Sequence, residues 1–282
     1  MDILRGTGVA LVTPFDAQNN VDYDALLRII KHTDSGGVDY FVAMGTTGES
    51  STLSWDEKLQ VISFIQEHIE KPLIVGHGGN NTKQLVDDLN LLKSFNIQAI
   101  LSVVPYYSKP SQLGLQKHFE AIAEASKWPL ILYNVPARTS CNLEADTVLK
   151  LAQHENIIAI KEASGDLVQI RRIIEGAPEQ FNILSGDDAR TLEIIRSGGS
   201  GVISVIANYK PLEFSQMVKL ALSGDFEGAS QLDELLINDY LLMTAEGNPV
   251  SVKTALSCLG LCEDHVRLPL VPGSDQLRKK FA

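Results

Sequence analysis

Eight short, nearly continuous apolar runs punctuate the chain: GVALVTP (8–14), YFVAM (40–44), PLIVG (72–76), AILSVV (99–104), LILYNV (130–135), IIAIK (157–161), FNILSG (181–186) and GVISVI (201–206). Runs that do not alternate apolar with polar residues are the pattern of strands covered on both faces. Between them the apolar residues fall at helical spacing, as in YDALLRIIKHTDSGG, SWDEKLQVISFIQEHIEK, TKQLVDDLNLLKSFN, SQLGLQKHFEAIAEASKW, EADTVLKLAQHEN, DLVQIRRIIEGAPEQ and ARTLEIIRSGG. Ser54 and Glu57 are spaced as a capping box, and Gly36 and Gly37 stand where a helix should end. Eight strands alternating with helices predict an α/β fold, a closed (β/α)8 TIM barrel. An open doubly wound sheet would need a glycine-rich fingerprint after the first strand, and VTPFDAQN is not one. From about residue 211 the pattern is helical only. The expected organisation is a barrel over residues 1–224 and a C-terminal helical extension over 225–282, packed on the barrel without a core of its own.

Composition narrows the partners. The 282 residues suit one barrel, and 44% of them are hydrophobic, enough for a large core. The formal net charge of −11 argues against nucleic acid and anionic membranes, while a small anionic substrate is still open to it because local positive groups decide that. No apolar run is long enough to span a bilayer. The opening MDILRGTGVALVTPF reads as a first strand rather than a signal peptide. Three cysteines, Cys141, Cys258 and Cys262, form an odd, sparse set that fits a reducing compartment, so a cytoplasmic location is expected.

In a barrel of this class, chemistry sits where strands run into the following loops. The residues there are Gly45-Thr46-Thr47-Gly48-Glu49 at the end of the second strand, Pro105-Tyr106-Tyr107 at the end of the fourth, and Tyr133-Asn134 at the end of the fifth, with Arg138 just beyond. The sixth strand ends in Lys161-Glu162 and the seventh in Ser185-Gly186-Asp187-Asp188. Lys161 is the most informative. An amine closing an apolar run and pointing into a barrel mouth loses its hydration, which favours the neutral, nucleophilic form that makes imines with ketones. Its plain alternative is a lysine reaching out to the rim. Thr46 and Thr47 offer hydroxyls on a turn whose glycines let backbone approach a small anion. Tyr133 can relay a proton, and Arg138 carries a forked, fixed charge suited to a carboxylate. Each has a dull reading as a turn, a core tyrosine or a surface ion pair. Their convergence on one barrel face favours a site.

Other features carry less. RSGGSGVIS (196–204) reads as a helix end and a turn on the opposite barrel face. Asp187 and Asp188 lack further hard ligands for a magnesium ion and are better placed at a rim or a helix start. His77 reads first as a polar residue at a strand end, and Cys258 and Cys262 lack a second ligand pair for zinc.

The motifs GTTGES, VPYYSKPSQLGLQKHFEAIAE, YNVPARTS, IIAIKEASGD, LSGDD, GVISV and GNPVSVKTAL together resemble the dihydrodipicolinate synthase family, over about residues 6–272. YNVPARTS with IKEASGD points to the wider pyruvate-dependent Schiff-base lyase superfamily, and GTTGE with Arg138 favours the synthases within it. The resemblance implies condensation of pyruvate with L-aspartate 4-semialdehyde, in lysine and diaminopimelate biosynthesis, without metal or organic cofactor. It implies that Lys161 forms the imine, that Tyr133, Thr46 and Tyr107 relay protons, and that Tyr107 reaches in from a neighbouring subunit. Thr47 and the backbone of Ile203 would contact pyruvate. Arg138 would receive the semialdehyde carboxylate, and Gly186 matches a further active-site position. A homotetramer built of tight dimers is implied as well. Another pyruvate lyase, acting on N-acetylneuraminate or a 2-keto-3-deoxy sugar acid, is the alternative.

Lysine-inhibited relatives bind the effector through histidines, a glutamate, an asparagine and a tyrosine. Ser50, Ser51, Asn80 and Tyr106 match that pattern. Trp55 and Lys58 stand where the histidines would be, and Gln84 stands where the glutamate would be. Gln84 brings no negative charge and Lys58 brings a like one, so weak or absent inhibition by lysine is expected.

Overall fold

The computed structural model describes residues 3–281. Residues 1, 2 and 282, at the outer ends of the two predicted segments, lie outside the described residues. Eight parallel strands form a closed barrel in chain order: β1 (Gly6–Ala10), β2 (Tyr40–Ala43), β3 (Leu73–Gly76), β4 (Ala99–Val103), β5 (Leu130–Asn134), β6 (Ile157–Glu162), β7 (Asn182–Ser185) and β8 (Gly201–Ser204). β8 pairs back to β1, from Gly6 opposite Gly201 to Val9 opposite Ser204. Each of the eight apolar runs therefore overlaps a strand. The first differs most: β1 starts two residues earlier than its run and stops at Ala10. Beyond it Leu11 and Val12 are buried loop, and the Val12 N–H is held by Asn208 Oδ1 at 3.2 Å.

A helix follows each strand: Tyr23–Ser35, Trp55–His68, Thr82–Asp88, Gln112–Ala125, Ala145–Leu151, Leu167–Gly176, Thr191–Arg196 and Pro211–Ser223. The Ser54–Glu57 capping box is formed, with both reciprocal hydrogen bonds present. The stretch TKQLVDDLNLLKSFN is not one helix. It breaks after Asp88 into a tighter turn over Leu89–Leu92. After Gly224, at φ +89°, the chain adds helices Phe226–Ala245, Val250–Cys258 and Asp275–Phe281. Their apolar residues, among them Leu236, Tyr240, Met243, Val252 and Leu256, join the apolar layer between the barrel and its helices. Among the described residues, no helix is long and apolar enough to cross a membrane.

Period-two alternation divides the strands between two layers. Val42, Ile74, Leu101, Ile131, Ala159, Leu184 and Ile203 fill the barrel, while neighbours such as Phe41, Val75, Leu132 and Ile160 face the helices. Tyr40 plugs the interior over Gly8, where a Cβ would stand 2.0 Å from the ring, and its hydroxyl donates to the Val202 carbonyl at 3.0 Å. One irregularity matters for the site. Between Leu130 and Ile131 the β5–β6 register slips by a residue, so that Leu130 faces Ile157 but Ile131 faces Ala159. From there Tyr133 lies abreast of Lys161, with both side chains inside the barrel.

Candidate active site

Lys161, the penultimate residue of β6, is 6% exposed, and its Nζ lies 4.5 Å from the centroid of the Tyr133 ring. Burial lowers its pKa from 10.5 to about 8. The Asp188 carboxylate opposes that shift and the Arg138 guanidinium reinforces it. Burial also pushes the Tyr133 phenol up to about 12, with Arg138 opposing, so the phenol keeps its proton at neutral pH. Gly186 makes room for the lysine stem. A Cβ there would stand 2.8 Å from the Ala163 methyl and 3.1 Å from both Cγ and Cε of Lys161.

The amine opens onto a cavity of about 370 Å³ at the C-terminal end of the strands. Thr46, Thr47, Tyr133, Arg138, Gly186 and Asp188 line it with Lys161. That volume suits a small metabolite. The Gly45–Glu49 segment is both turn and wall. Gly48 N–H donates to the Gly45 carbonyl at 3.1 Å and Glu49 N–H to the Thr46 carbonyl at 3.1 Å. Thr47 is buried in the wall and Thr46 is exposed at the mouth. Behind the turn, Glu49 forms a fully buried ion pair with Lys253 at 2.5 Å. Arg138 sits on a one-turn helix, Pro136–Thr139, just past β5, and its Nη2 donates to the Asn248 carbonyl at 3.2 Å.

Two predicted residues do not line the cavity within one chain. Tyr107 is 90% exposed at φ +72° and does not line the cavity. Ile203 is buried in the inner barrel layer and does not line it either. The remaining predicted residues form a second group. Ser50, Trp55 and Lys58, with His77, border a hollow of about 50 Å³ beside the main cavity. Lys58 Nζ lies 4.9 Å from the Trp55 ring centroid, and burial lowers its pKa against the opposing pull of Asp88. Gln84 Nε2 donates to Asp88 Oδ1 at 2.7 Å, Asn80 Nδ2 donates to the Tyr106 carbonyl at 3.3 Å, and Ser51 is exposed. His77 is buried, with Nε2 on the Leu85 carbonyl at 2.8 Å and its ring 5.8 Å from Trp55.

Two residues of the cavity wall do more than the sequence assigns them. Asp187 does act at a helix start, accepting from Ala189 N–H at 3.2 Å. Asp188 does more: it lines the cavity with Lys161, and its Oδ2 accepts from the N–H groups of Val205 and Ile206 at 3.1 and 2.8 Å. Asn248, in the turn between helices Phe226–Ala245 and Val250–Cys258, donates from Nδ2 to Thr47 Oγ1 at 2.9 Å. Its signals are the Gly-Asn-Pro turn that interrupts the helical C-terminal pattern and its place in the GNPVSVKTAL motif. Among the described residues no cluster of three or more histidine, cysteine or acidic side chains could hold a metal ion.

A profile of the dihydrodipicolinate synthetase family matches residues 3–282. The 4-hydroxy-tetrahydrodipicolinate synthase of Flavobacterium psychrophilum is 48% identical over 284 residues, covering 100% of this chain and 97% of the relative. The crystal structure of dihydrodipicolinate synthase from Aquifex aeolicus superposes with a TM-score of 0.95 at 40% identity, covering 99% of this chain and 96% of that one. A chloride-inhibited dihydrodipicolinate synthase from Acinetobacter baumannii, solved in complex with pyruvate, superposes with a TM-score of 0.96 at 38% identity, with 99% and 96% coverage.

Proposed function

The chain belongs to the dihydrodipicolinate synthetase family, and from that premise we propose that it condenses pyruvate with L-aspartate 4-semialdehyde to 4-hydroxy-tetrahydrodipicolinate, in lysine and diaminopimelate biosynthesis. The observation that carries the reading is a buried amine with a depressed pKa, beside a protonated phenol, at the floor of a small cavity whose rim bears an arginine.

The chemistry follows from those positions. The neutral Lys161 amine adds to the pyruvate ketone. Tyr133 protonates the departing oxygen, water leaves, and a protonated imine remains. Thr47 holds the pyruvate carboxylate, and Gly186 leaves the lysine stem its path. Loss of a methyl proton gives an enamine, with the imine nitrogen as electron sink. The enamine carbon attacks the aldehyde carbon of the second substrate, whose carboxylate Arg138 holds at the entrance. The aldehyde oxygen takes a proton and becomes the 4-hydroxyl. The substrate's own amine then attacks the imine carbon, expels Lys161 and closes the ring.

Thr46 at the mouth connects Tyr133 to solvent through Tyr107. Since Tyr107 projects away from its own cavity, we assign the Tyr107 in this relay to a neighbouring copy in a homotetramer of tight dimers. A monomer in sedimentation velocity at working concentration would remove that route. We place the division between barrel and C-terminal extension at residues 224/225 and the enzyme in the cytoplasm, a placement its three unpaired cysteines support.

Steady-state kinetics test the reading. Pyruvate and aspartate semialdehyde should be turned over together, Lys161→Gln should abolish turnover, and Arg138→Ala should raise KM for the semialdehyde. Cleavage of N-acetylneuraminate with indifference to the semialdehyde would overturn it.

A further inference from the structure

We propose that Asn248, supplied by the C-terminal extension, is a positioning residue that fixes the polarity of the Thr47 hydroxyl and turns its proton toward the carboxylate of the bound keto acid. The proposal rests on the reading of Thr47 as the keto-acid carboxylate contact.

An amide N–H can only donate. The 2.9 Å contact from Asn248 Nδ2 therefore makes Thr47 Oγ1 the acceptor, and the hydroxyl's own hydrogen has to point elsewhere. Among the described residues no acceptor takes that hydrogen, and Thr47 lines the cavity that holds Lys161. A carboxylate in the cavity is the acceptor that fits. Asn248 also reaches the other end of the site, because its main-chain carbonyl accepts from Arg138 Nη2 at 3.2 Å. One residue thus touches both assigned binding groups through different atoms, the side chain for Thr47 and the main chain for Arg138.

The side chain does not hold its own turn. Ser251 does that, donating its N–H to the Gly247 carbonyl at 2.9 Å and accepting the Glu246 N–H on Oγ at 3.1 Å. The far end of the amide, Oδ1, is buried without a partner among the described residues. A buried amide oxygen left without a partner calls for an explanation beyond packing.

The test uses the full chain and compares Asn248→Ala, Asn248→Asp, Thr47→Val and the Asn248→Ala/Thr47→Val double variant, each substrate being varied at saturation of the other. Asn248→Ala should raise KM for the keto acid roughly tenfold, the effect of one hydrogen bond to a charged group. It should leave KM for the aldehyde nearly unchanged, because the Arg138 contact is main-chain. Asn248→Asp should be worse than Asn248→Ala, since a carboxylate there accepts the Thr47 proton instead of leaving it for the substrate. The double variant should match Thr47→Val alone, because the asparagine acts only through that hydroxyl. Equal rises in both KM values, multiplying effects in the double variant, or an Asp variant better than the Ala variant would overturn the proposal. Borohydride reduction with pyruvate separates the two levels. If the wild type forms no adduct, the reading of the site and this proposal fall together. If it forms one and the KM pattern is absent, this proposal falls alone.

Discussion

Replacing Lys253 with methionine should destabilise the protein severely. Lys253 comes from helix Val250–Cys258, and its side chain is 0% exposed. Its amine bonds Glu49 Oε1 at 2.5 Å and the His265 carbonyl at 2.8 Å, and lies 4.1 Å from the centroid of the Phe15 ring. Burial lowers the lysine pKa, and the Glu49 carboxylate opposes the shift. Without the amine, Glu49 keeps one oxygen on the Arg267 N–H at 3.0 Å and leaves the other charged and unpaired in the interior. Breaking one side of a buried pair costs about 3–5 kcal/mol. At about 2–4 °C per kcal/mol for a chain of this size class, the melting temperature should fall by about 6–20 °C. The double variant Glu49→Gln/Lys253→Met removes the stranded charge and should recover at least half of that loss. Thermal unfolding of the wild type, the single variant and the double variant decides. A single variant melting within about 2 °C of wild type, or a double variant no better than the single, would refute the assignment of the pair as the clamp behind the Gly45–Glu49 turn.

Imine formation with pyruvate should rise with pH to a plateau, half-maximal near pH 8, because Lys161 is an ammonium below its pKa and a nucleophile above it. Asp188→Asn removes the charge that opposes the shift and should move the midpoint down; stopped-flow rates across pH that moved it up would contradict the electrostatics. Gly186→Ala should cut kcat/KM tenfold or more and cost about 1–3 kcal/mol in denaturation, because the new methyl meets Ala163 and the Lys161 stem. L-Lysine should inhibit weakly or not at all in a coupled assay, since Gln84 is neutral and already engaged by Asp88 and Lys58 repels an ammonium; a low-micromolar inhibition constant would contradict this.

The barrel was legible because parallel strands buried on both faces are written as unbroken apolar runs. The same property hides which residues of a run face inward. IIAIK announces a strand but not the register slip at Leu130 that brings Lys161 level with Tyr133. Lys161 could be singled out only because an amine ends an apolar run. The turn at Thr46 and Thr47 was legible from its glycines, and Arg138 from its place past β5. The supports behind them were not. Glu49 meets Lys253 and Thr47 meets Asn248 across about two hundred residues of chain. Such contacts depend on how the C-terminal helices pack back on the barrel, and helical spacing does not encode that. Asp188 looks like a rim or helix-start residue in sequence because nothing in LSGDD tells which carboxylate turns toward the loop after β8.

The central claim is that the Lys161 amine captures pyruvate covalently. Mass spectrometry of peptides after incubation with pyruvate and borohydride tests it most directly. A single reduced pyruvate adduct on the peptide carrying Lys161, absent from Lys161→Gln, is the predicted result. No adduct, or an adduct on another lysine with Lys161→Gln still labelled, would contradict the account.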